Sequence, residues 1–261
     1  MSSSLISSVI VGYFLLLILI SYLTGKSDSN NSFFLGDKQS PWYVVAFGML
    51  GATLSGITFI SVPGKVDTSA FSYMQMTFGF FFGYLVIALV LIPLYYRMNL
   101  TSIYGYLKER FGNSSYKTGA SFFLLSRVIG ASLRLYIVAN VLQMAIFDSW
   151  GVPYIVTVLI TILLIWVYTF RSGIKTIIWT DTLQTLFMLL AVGTSIYLIS
   201  DELNLGFSSL ISTIKESEYS QVFFWEGELH FFKQFFAGVF IAIAMTGLDQ
   251  DMMQKNLSCR T

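Results

Sequence analysis

The chain has 261 residues, of which 55% are hydrophobic and 11% charged, and its formal net charge is +1. Because soluble domains carry about 25% charged residues, this composition excludes a soluble globular protein and indicates an integral membrane protein. The near-neutral charge excludes an electrostatic basis for nucleic-acid binding. One cysteine, Cys259, and one histidine, His230, are too few for an internal disulfide or a cysteine- or histidine-ligated metal centre, and His230 is interpreted as a loop residue.

Seven apolar segments predict an all-α, polytopic membrane protein. They cover residues 5–24, 42–62, 72–96, 119–147, 152–169, 179–199 and 233–252. The first lacks the basic leader and the small-residue cleavage pattern of a signal peptide, so it is interpreted as a membrane span. The fourth is the longest. At ~1.5 Å per residue it exceeds the hydrocarbon thickness, so it should tilt or project beyond the bilayer.

The second segment, WYVVAFGMLGATLSGITFISVPG over residues 42–64, is repeatedly interrupted by small residues. These are Gly48, Gly51, Thr53, Ser55, Gly56, Thr58 and Ser61. Glycine weakens a helix by up to ~1 kcal/mol relative to alanine, which favours unwinding. Unwound backbone at membrane depth is tolerated where it is buried or lines a cavity, and in transporters it coordinates ions. Close packing of another helix on the small residues is the alternative interpretation.

The distribution of Lys and Arg predicts the orientation in the plasma (inner) membrane. Ten lie in the odd-numbered loops and the C-terminal end, at Lys26, Lys38, Arg97, Lys108, Arg110, Lys117, Arg171, Lys175, Lys255 and Arg260. Three lie on the opposite side, at Lys65, Lys215 and Lys233. By the positive-inside rule the N-terminus is outside and Thr261 is cytoplasmic. The outer loop 200–232 is acidic, and it is interpreted either as a solvated face or as a vestibule that attracts cations. The sequence TSIYGYLKERFG predicts a short amphipathic helix at the inner interface.

The seventh segment, with the sequence FFKQFFAGVFIAIAMTGLDQDM, is also interrupted by small residues, and it follows the second segment by five spans in the opposite direction. Interrupted segments at matching positions of two inverted halves indicate the binding site of a transporter. The predicted organisation is therefore an extra N-terminal helix and cytoplasmic loop over 1–41, a first five-helix repeat over 42–199, an extracellular loop over 200–232, and the first helix of a second repeat over 233–261.

Four motifs carry a family resemblance: ITFISVPG (57–64), NLTSIYGYLKERFG (99–112), SGIKTIIWTDTLQ (172–184) and DQDMMQKNLSCRT (249–261). In this order and spacing the chain resembles the sodium:solute symporters, with the first two motifs closest to the iodide and multivitamin branch. The resemblance implies a leucine-transporter-type inverted-repeat fold and Na⁺-coupled symport of a small polar or anionic solute by alternating access. It covers only part of a family member. The chain is therefore expected to be an incomplete transporter that a missing C-terminal half completes and that does not transport alone.

The resemblance also implies site residues. Backbone carbonyls of Gly51 and Leu54 would bind sodium, and Thr53, Thr58 and Phe59 would face the solute. Gln75 and Thr77 are further solute-facing candidates.

Three charged or polar candidates leave alternatives open. Asp181 is linked by the resemblance to cation coupling and is assigned as a metal ligand; a helix cap or a bond to Lys175 is the alternative. Asp249 and Gln250 would serve a gate or helix packing.

Arg127 and Arg134 share one helix face, where they could bind an anionic solute, snorkel, or pair with an acidic side chain.

A membrane input module of a sensor protein is the alternative function, because some histidine kinases carry domains that resemble this family. An intramembrane enzyme is not expected, since the spans contain no Ser/His pair, no H-E-x-x-H motif and no Asp pair at catalytic spacing.

Overall fold

The computed structural model describes residues 3–24, 30–54, 56–169 and 173–259. Lys26, Ser55, Arg171 and Arg260, which entered the predictions above, lie outside these ranges. Within them the regular structure is helical, with one isolated bridge between Ser40 and Cys259, and this confirms the predicted fold class.

The α-helices of the described residues are α1 (Ser3–Thr24), α2 (Asn30–Leu35), α3 (Trp42–Thr53), α4 (Gly56–Gly64), α5 (Val66–Ser69), α6 (Tyr73–Val86), α7 (Ile92–Arg97), α8 (Tyr104–Phe111), α9 (Asn113–Leu142), α10 (Tyr154–Thr169), α11 (Ile174–Glu202), α12 (Phe207–Glu216), α13 (Phe231–Ala242) and α14 (Gln250–Leu257). Helical segments of π type extend α6, α9 and α13, at Ile87–Leu91, Gln143–Phe147 and Ile243–Gly247.

In the described part of the chain, four helices are long and apolar enough to cross a membrane, and the number rises to six if each of two bent helix pairs is one span. The four are Ser4–Thr24, Tyr73–Arg97, Asn113–Trp150 and Ile174–Glu202. The fifth predicted segment, 152–169, corresponds to α10, whose 16 residues would be about 24 Å long at 1.5 Å per residue, less than a ~30 Å hydrocarbon core.

The fourth predicted span, near residues 119–147, lies inside a longer helix. Its helix begins at Asn113 and continues to Trp150. The apolar run begins late because the first turns are polar. The residue that marks the helix start is Gly112, whose φ of 88° is a left-handed conformation that glycine adopts without strain.

Contacts divide the chain into two compact units. Unit 1 is formed by Met1–Gln39 and Tyr104–Thr180, and unit 2 by Ser40–Ile103 and Asp181–Thr261. These units follow packing rather than chain order, so the predicted boundaries of the repeats stay a prediction.

Unit 1 is organised around α9. The predicted amphipathic helix is α8, and it packs on α9 through the rings of Tyr104 and Phe123. At the other end of α9, the Gln143 amide donates to Asp148 and to the Val152 carbonyl and accepts from the Thr157 hydroxyl. Through these bonds the side chain of Gln143, the first residue of the π segment, has hydrogen-bond partners for both its amide nitrogen and its oxygen.

Unit 2 contains a close pair of helices, α6 and α13. A Cβ atom added to Gly79 would lie 2.1 Å from the Phe235 carbonyl oxygen, and one added to Gly238 would lie 2.2 Å from the Met76 carbonyl oxygen. Only glycine permits this backbone approach, which is typical of helix packing in membranes.

Candidate ion and solute site

The second predicted span is broken, as its small residues predicted. Helix α3 ends at Thr53, Leu54 is extended (φ −78°, ψ 132°), and α4 begins at Gly56. The two helical parts, Trp42–Thr53 and Thr58–Ser69, are bent by 63°. A helix end leaves its last carbonyls without intrahelical partners, so the break presents backbone oxygens inside an apolar span.

The carbonyls around the break differ in their partners. The Leu50 carbonyl accepts from the Leu54 N–H at 2.9 Å and from the Thr53 hydroxyl at 2.8 Å. The Gly51 carbonyl accepts from the Gln184 side-chain amide at 3.1 Å. Because a carbonyl oxygen has two lone pairs, the Gly51 oxygen can accept this amide and still ligate a hard cation. The carbonyl groups of Gly51 and Leu54 therefore fit the chemistry that sodium requires.

Helix α11 holds the backbone of α3 through a row of polar side chains that sequence reasoning missed. Thr182 donates to the Val44 carbonyl at 3.2 Å, and Gln184 holds Gly51. The Thr185 hydroxyl is buried between the Phe47 carbonyl oxygen, at 3.0 Å, and the Asp181 carbonyl oxygen, at 2.8 Å. We call Thr182, Gln184 and Thr185 the α11 polar row. Its sequence signal is the cluster TDTLQT inside an apolar helix.

Asp181 forms an ion pair with Lys255. The Lys255 ammonium lies 2.7 Å from the Asp181 carboxylate, with 5% of the Lys255 side chain and 18% of the Asp181 side chain exposed. The suggested bond to Lys175 was wrong, because Lys175 instead pairs with Asp37 at 3.4 Å. Six residues separate Lys175 from Asp181, and side chains meet along a helix at separations of three or four. The role of Asp181 as a metal ligand stays a prediction.

The seventh predicted span is broken as well, with Phe231–Gly247 and Gln250–Leu257 bent by 66°. The Tyr95 hydroxyl donates to the Gly247 carbonyl at 2.9 Å. The Asp249 carboxylate caps α14 by accepting from the N–H groups of Asp251 and Met252, at 3.0 and 3.2 Å. The freed backbone groups of this break are therefore bonded to side chains of unit 2.

Gln250 joins α14 to the segment that precedes α8. Its side-chain oxygen accepts from the Ile103 N–H at 2.8 Å, and its amide lies 3.3 Å from the Thr101 carbonyl oxygen. These contacts, with the cap at Asp249, are those of helix packing, and a gating role for either residue stays a prediction.

Burial raises the pKa of the Cys259 thiol beyond the end of α14, which favours its neutral form.

The solute-facing candidates occupy different surroundings. Thr53 and Phe59 are exposed beside the break, and Thr58 is half-buried. Gln75 is fully buried: its amide donates to the Leu229 carbonyl at 3.0 Å, and its oxygen accepts from the Phe224 N–H at 3.0 Å. The hydroxyl of Thr77, an exposed residue, donates to the Tyr73 carbonyl. Thr53, Thr58 and Phe59 flank the break in sequence, Gln75 fixes the loop that contains Phe224 and Leu229 onto α6, and Thr77 lies on α6. Contact of any of them with the solute stays a prediction.

The two arginines belong to unit 1. The Arg127 guanidinium lies 5.3 Å from the centre of the Phe123 ring, a cation–π distance. Arg134 is exposed. Their predicted part in anion binding stays a prediction. His230 lies in the loop before α13, as interpreted from the sequence, and caps this helix by accepting from the Phe232 N–H through its Nδ1.

A family model described as "Sodium:solute symporter family" matches residues 33–252. The chain belongs to this family, whose members are transporters and not enzymes, and the resemblance inferred from the motifs is confirmed.

Individual relatives are matched over most of this chain. It is 30% identical to the sodium-dependent multivitamin transporter of Oryctolagus cuniculus, over 87% of this chain and 36% of the relative. It is 23% identical to the human sodium-coupled monocarboxylate transporter 1, over 92% of this chain and 39% of the relative. It is 26% identical to the sodium/sialic acid symporter SiaT of Proteus mirabilis, over 81% of this chain and 42% of the relative. The chain spans about four-tenths of the length of these relatives.

One solved structure, described as the substrate-bound outward-open state of a Na⁺-coupled sialic acid symporter, aligns with a TM-score of 0.79. It is 24% identical, and the alignment covers 98% of this chain and 54% of the other. The chain thus has the fold of a sodium-coupled symporter, of the leucine-transporter type.

Proposed function

We propose that this chain provides the first part of a symporter that moves a small polar or anionic solute with Na⁺ across the plasma membrane by alternating access. The observation that carries the proposal is the break after α3, where Gly51 and Leu54 offer carbonyl oxygens in a helix that the α11 polar row holds by its backbone. Unwound backbone of this kind is how transporter folds coordinate a coupling ion at membrane depth.

In this proposal the ion and the solute share the break. Sodium binds the carbonyls of Gly51 and Leu54, and Gln184 orients the Gly51 peptide by its amide. Thr53, Thr58 and Phe59 contact the solute, with Gln75 and Thr77 as outlying candidates. Because both ligands order the same few residues, each raises the affinity for the other, and this coupling is reciprocal by necessity. The remaining oxygen ligands come from a C-terminal half, which is the proposed partner of this chain.

The names of three relatives guide the choice of solutes. They are a multivitamin transporter, a monocarboxylate transporter and a sialic acid symporter. We propose that the solute is a small organic acid or a similarly polar molecule. The N-terminus faces outside and the end of α14 faces the cytoplasm, as the ten-to-three distribution of basic residues predicts.

Uptake into proteoliposomes tests the proposal. The 261-residue chain is reconstituted alone and together with a C-terminal half taken from the multivitamin relative, and uptake of radiolabelled monocarboxylates and vitamins is compared in inward NaCl and choline chloride gradients. We expect no uptake by the chain alone and Na⁺-dependent uptake by the combined halves. Solute flux that is equal in the two gradients would contradict sodium coupling.

A further inference from the structure

The ion pair between Asp181 and Lys255 joins two helices of unit 2 at a buried position. Asp181 lies in α11 and Lys255 in α14, and the 2.7 Å distance between ammonium and carboxylate is that of a charge-assisted hydrogen bond. Lys255 has a relative exposure of 4%. A charged side chain this buried requires a partner of opposite charge, and Asp181 is that partner.

The surroundings of Asp181 attract positive charge. Asp251, one turn before Lys255 in α14, also acts on Asp181 electrostatically. The negative charge of a second acidic residue favours a cation at Asp181. Lys255 supplies that charge from within the chain, so its presence does not depend on the sodium concentration.

A sodium ion bound to Asp181 would have to lie beside the Lys255 ammonium. The two cations would repel each other strongly, because charges in a buried site are poorly screened by salt. The two candidate sodium sites of the chain therefore differ. The carbonyls of Gly51 and Leu54 are neutral, whereas the Asp181 carboxylate already has a cation 2.7 Å away.

We propose that Lys255 is a tethered cation that occupies the position of a second sodium ion at Asp181, so that sodium binding by this chain is confined to the broken span. The inference deepens the proposed function and rests on it in taking sodium as the ion that Lys255 excludes. Its consequence is a lower number of coupled sodium ions than a free carboxylate at residue 181 would allow.

Binding of ²²Na⁺ to this chain combined with the C-terminal half of the multivitamin relative, in nanodiscs, tests this inference. The Lys255→Gln variant removes the tethered charge and leaves both carboxylates. We expect this variant to gain one saturable sodium site that the wild type lacks, because removal of the ammonium turns the local repulsion of a cation into an attraction. The double variant Asp181→Asn with Lys255→Gln should lose the added site.

Lys175→Gln is the matched control. Lys175 also pairs with an aspartate, Asp37, but at 3.4 Å and with about a third of each side chain exposed, 32% and 37%. Water can solvate Asp37 after this substitution, so no sodium site should appear. Lys255→Arg keeps the charge and should also show no added site.

A Lys255→Gln variant that elutes as a monodisperse folded protein and gains no sodium site would overturn the inference. If that variant does not fold, ¹⁵N resonances of the lysine side chains in the wild type decide the question, with the Lys255 signal assigned by the Lys255→Arg variant. A Lys255 resonance that is unchanged between NaCl and choline chloride supports the inference, and one that shifts in a saturable manner with NaCl contradicts it. If the carbonyls of Gly51 and Leu54 did not bind sodium, the wild type would show fewer sodium sites. That result differs from the one tested here, which is the number of sites that Lys255→Gln adds to the wild-type number.

Discussion

The two broken spans bend by similar angles, 63° and 66°, but their backbone groups are held in different ways. At the second break, Tyr95 donates to the Gly247 carbonyl and Asp249 caps the next helix. At the first, the Gln184 amide donates to the Gly51 carbonyl and the chain becomes extended at Leu54. Both breaks contain an extended residue, Leu54 at the first and Asp249 at the second, and both have a carbonyl that accepts one side-chain donor. They differ because Asp249 also caps the helix that follows the second break, whereas the first break is the one proposed to bind the ion.

The largest effect is expected from Gly51→Ala. The added Cβ would lie 2.2 Å from the Thr185 hydroxyl and 2.8 Å from the Asp181 carbonyl oxygen. Overpacking of this kind costs about 1–3 kcal/mol, and the forced separation of α3 from α11 also displaces the Gly51 carbonyl from Gln184. We expect a lower free energy of unfolding, measured by denaturant titration in mixed micelles, and weaker sodium binding.

Gly193→Ala is the control for this substitution. Gly193 lies in the same α11 helix, and a Cβ there would have no atom within 4 Å. Its stability should be unchanged or increased, because alanine is the better helix former by up to ~1 kcal/mol. Equal destabilisation by the two substitutions would contradict the prediction that a Cβ atom at residue 51 collides with α11.

The second effect concerns the other break. Tyr95→Phe removes the hydroxyl that donates to the Gly247 carbonyl, and both residues are buried. A buried carbonyl left without a donor costs about 1–3 kcal/mol. We expect the free energy of unfolding to fall by that amount while sodium binding at the first break is unchanged. Tyr197→Phe, at an exposed position of α11, should change neither quantity.

The sequence predicted the helical class and the interrupted spans, because these depend on composition and on spacing within one segment. It could not predict the partner of Asp181, since Lys255 is 74 residues away and meets it only when α11 and α14 pack. The same limit applies to Gln75, whose amide bonds a loop about 150 residues later. Polar partners across a chain follow from tertiary packing, and the α11 polar row was therefore missed although its three residues lie within four consecutive positions.

A smaller effect is expected from Asp249→Ala, which removes the N-cap of α14. Loss of an N-cap carboxylate costs about 1 kcal/mol, and Asp249→Asn should retain most of the stability because the amide oxygen can accept the same N–H groups. If Asp249 serves the gate as well as the cap, Asp249→Asn should keep the stability but slow solute uptake by the combined halves. If it serves only the cap, the Asn variant should behave as the wild type in both measurements.

The smallest effect on stability, and the most specific effect on function, is expected from Gln184→Leu. The substitution removes one side-chain hydrogen bond to the Gly51 carbonyl, worth about 0.5–1.5 kcal/mol, and keeps an apolar side chain of similar size. Because the amide orients the peptide that is proposed to bind sodium, the variant should lose several-fold in ²²Na⁺ affinity at nearly unchanged stability. Thr194→Val, at an exposed position of the same helix, is the control and should bind sodium as the wild type does. Unchanged sodium affinity in Gln184→Leu would mean that the Gly51 carbonyl is not a sodium ligand, and the difference between the two breaks would then lie in their packing alone.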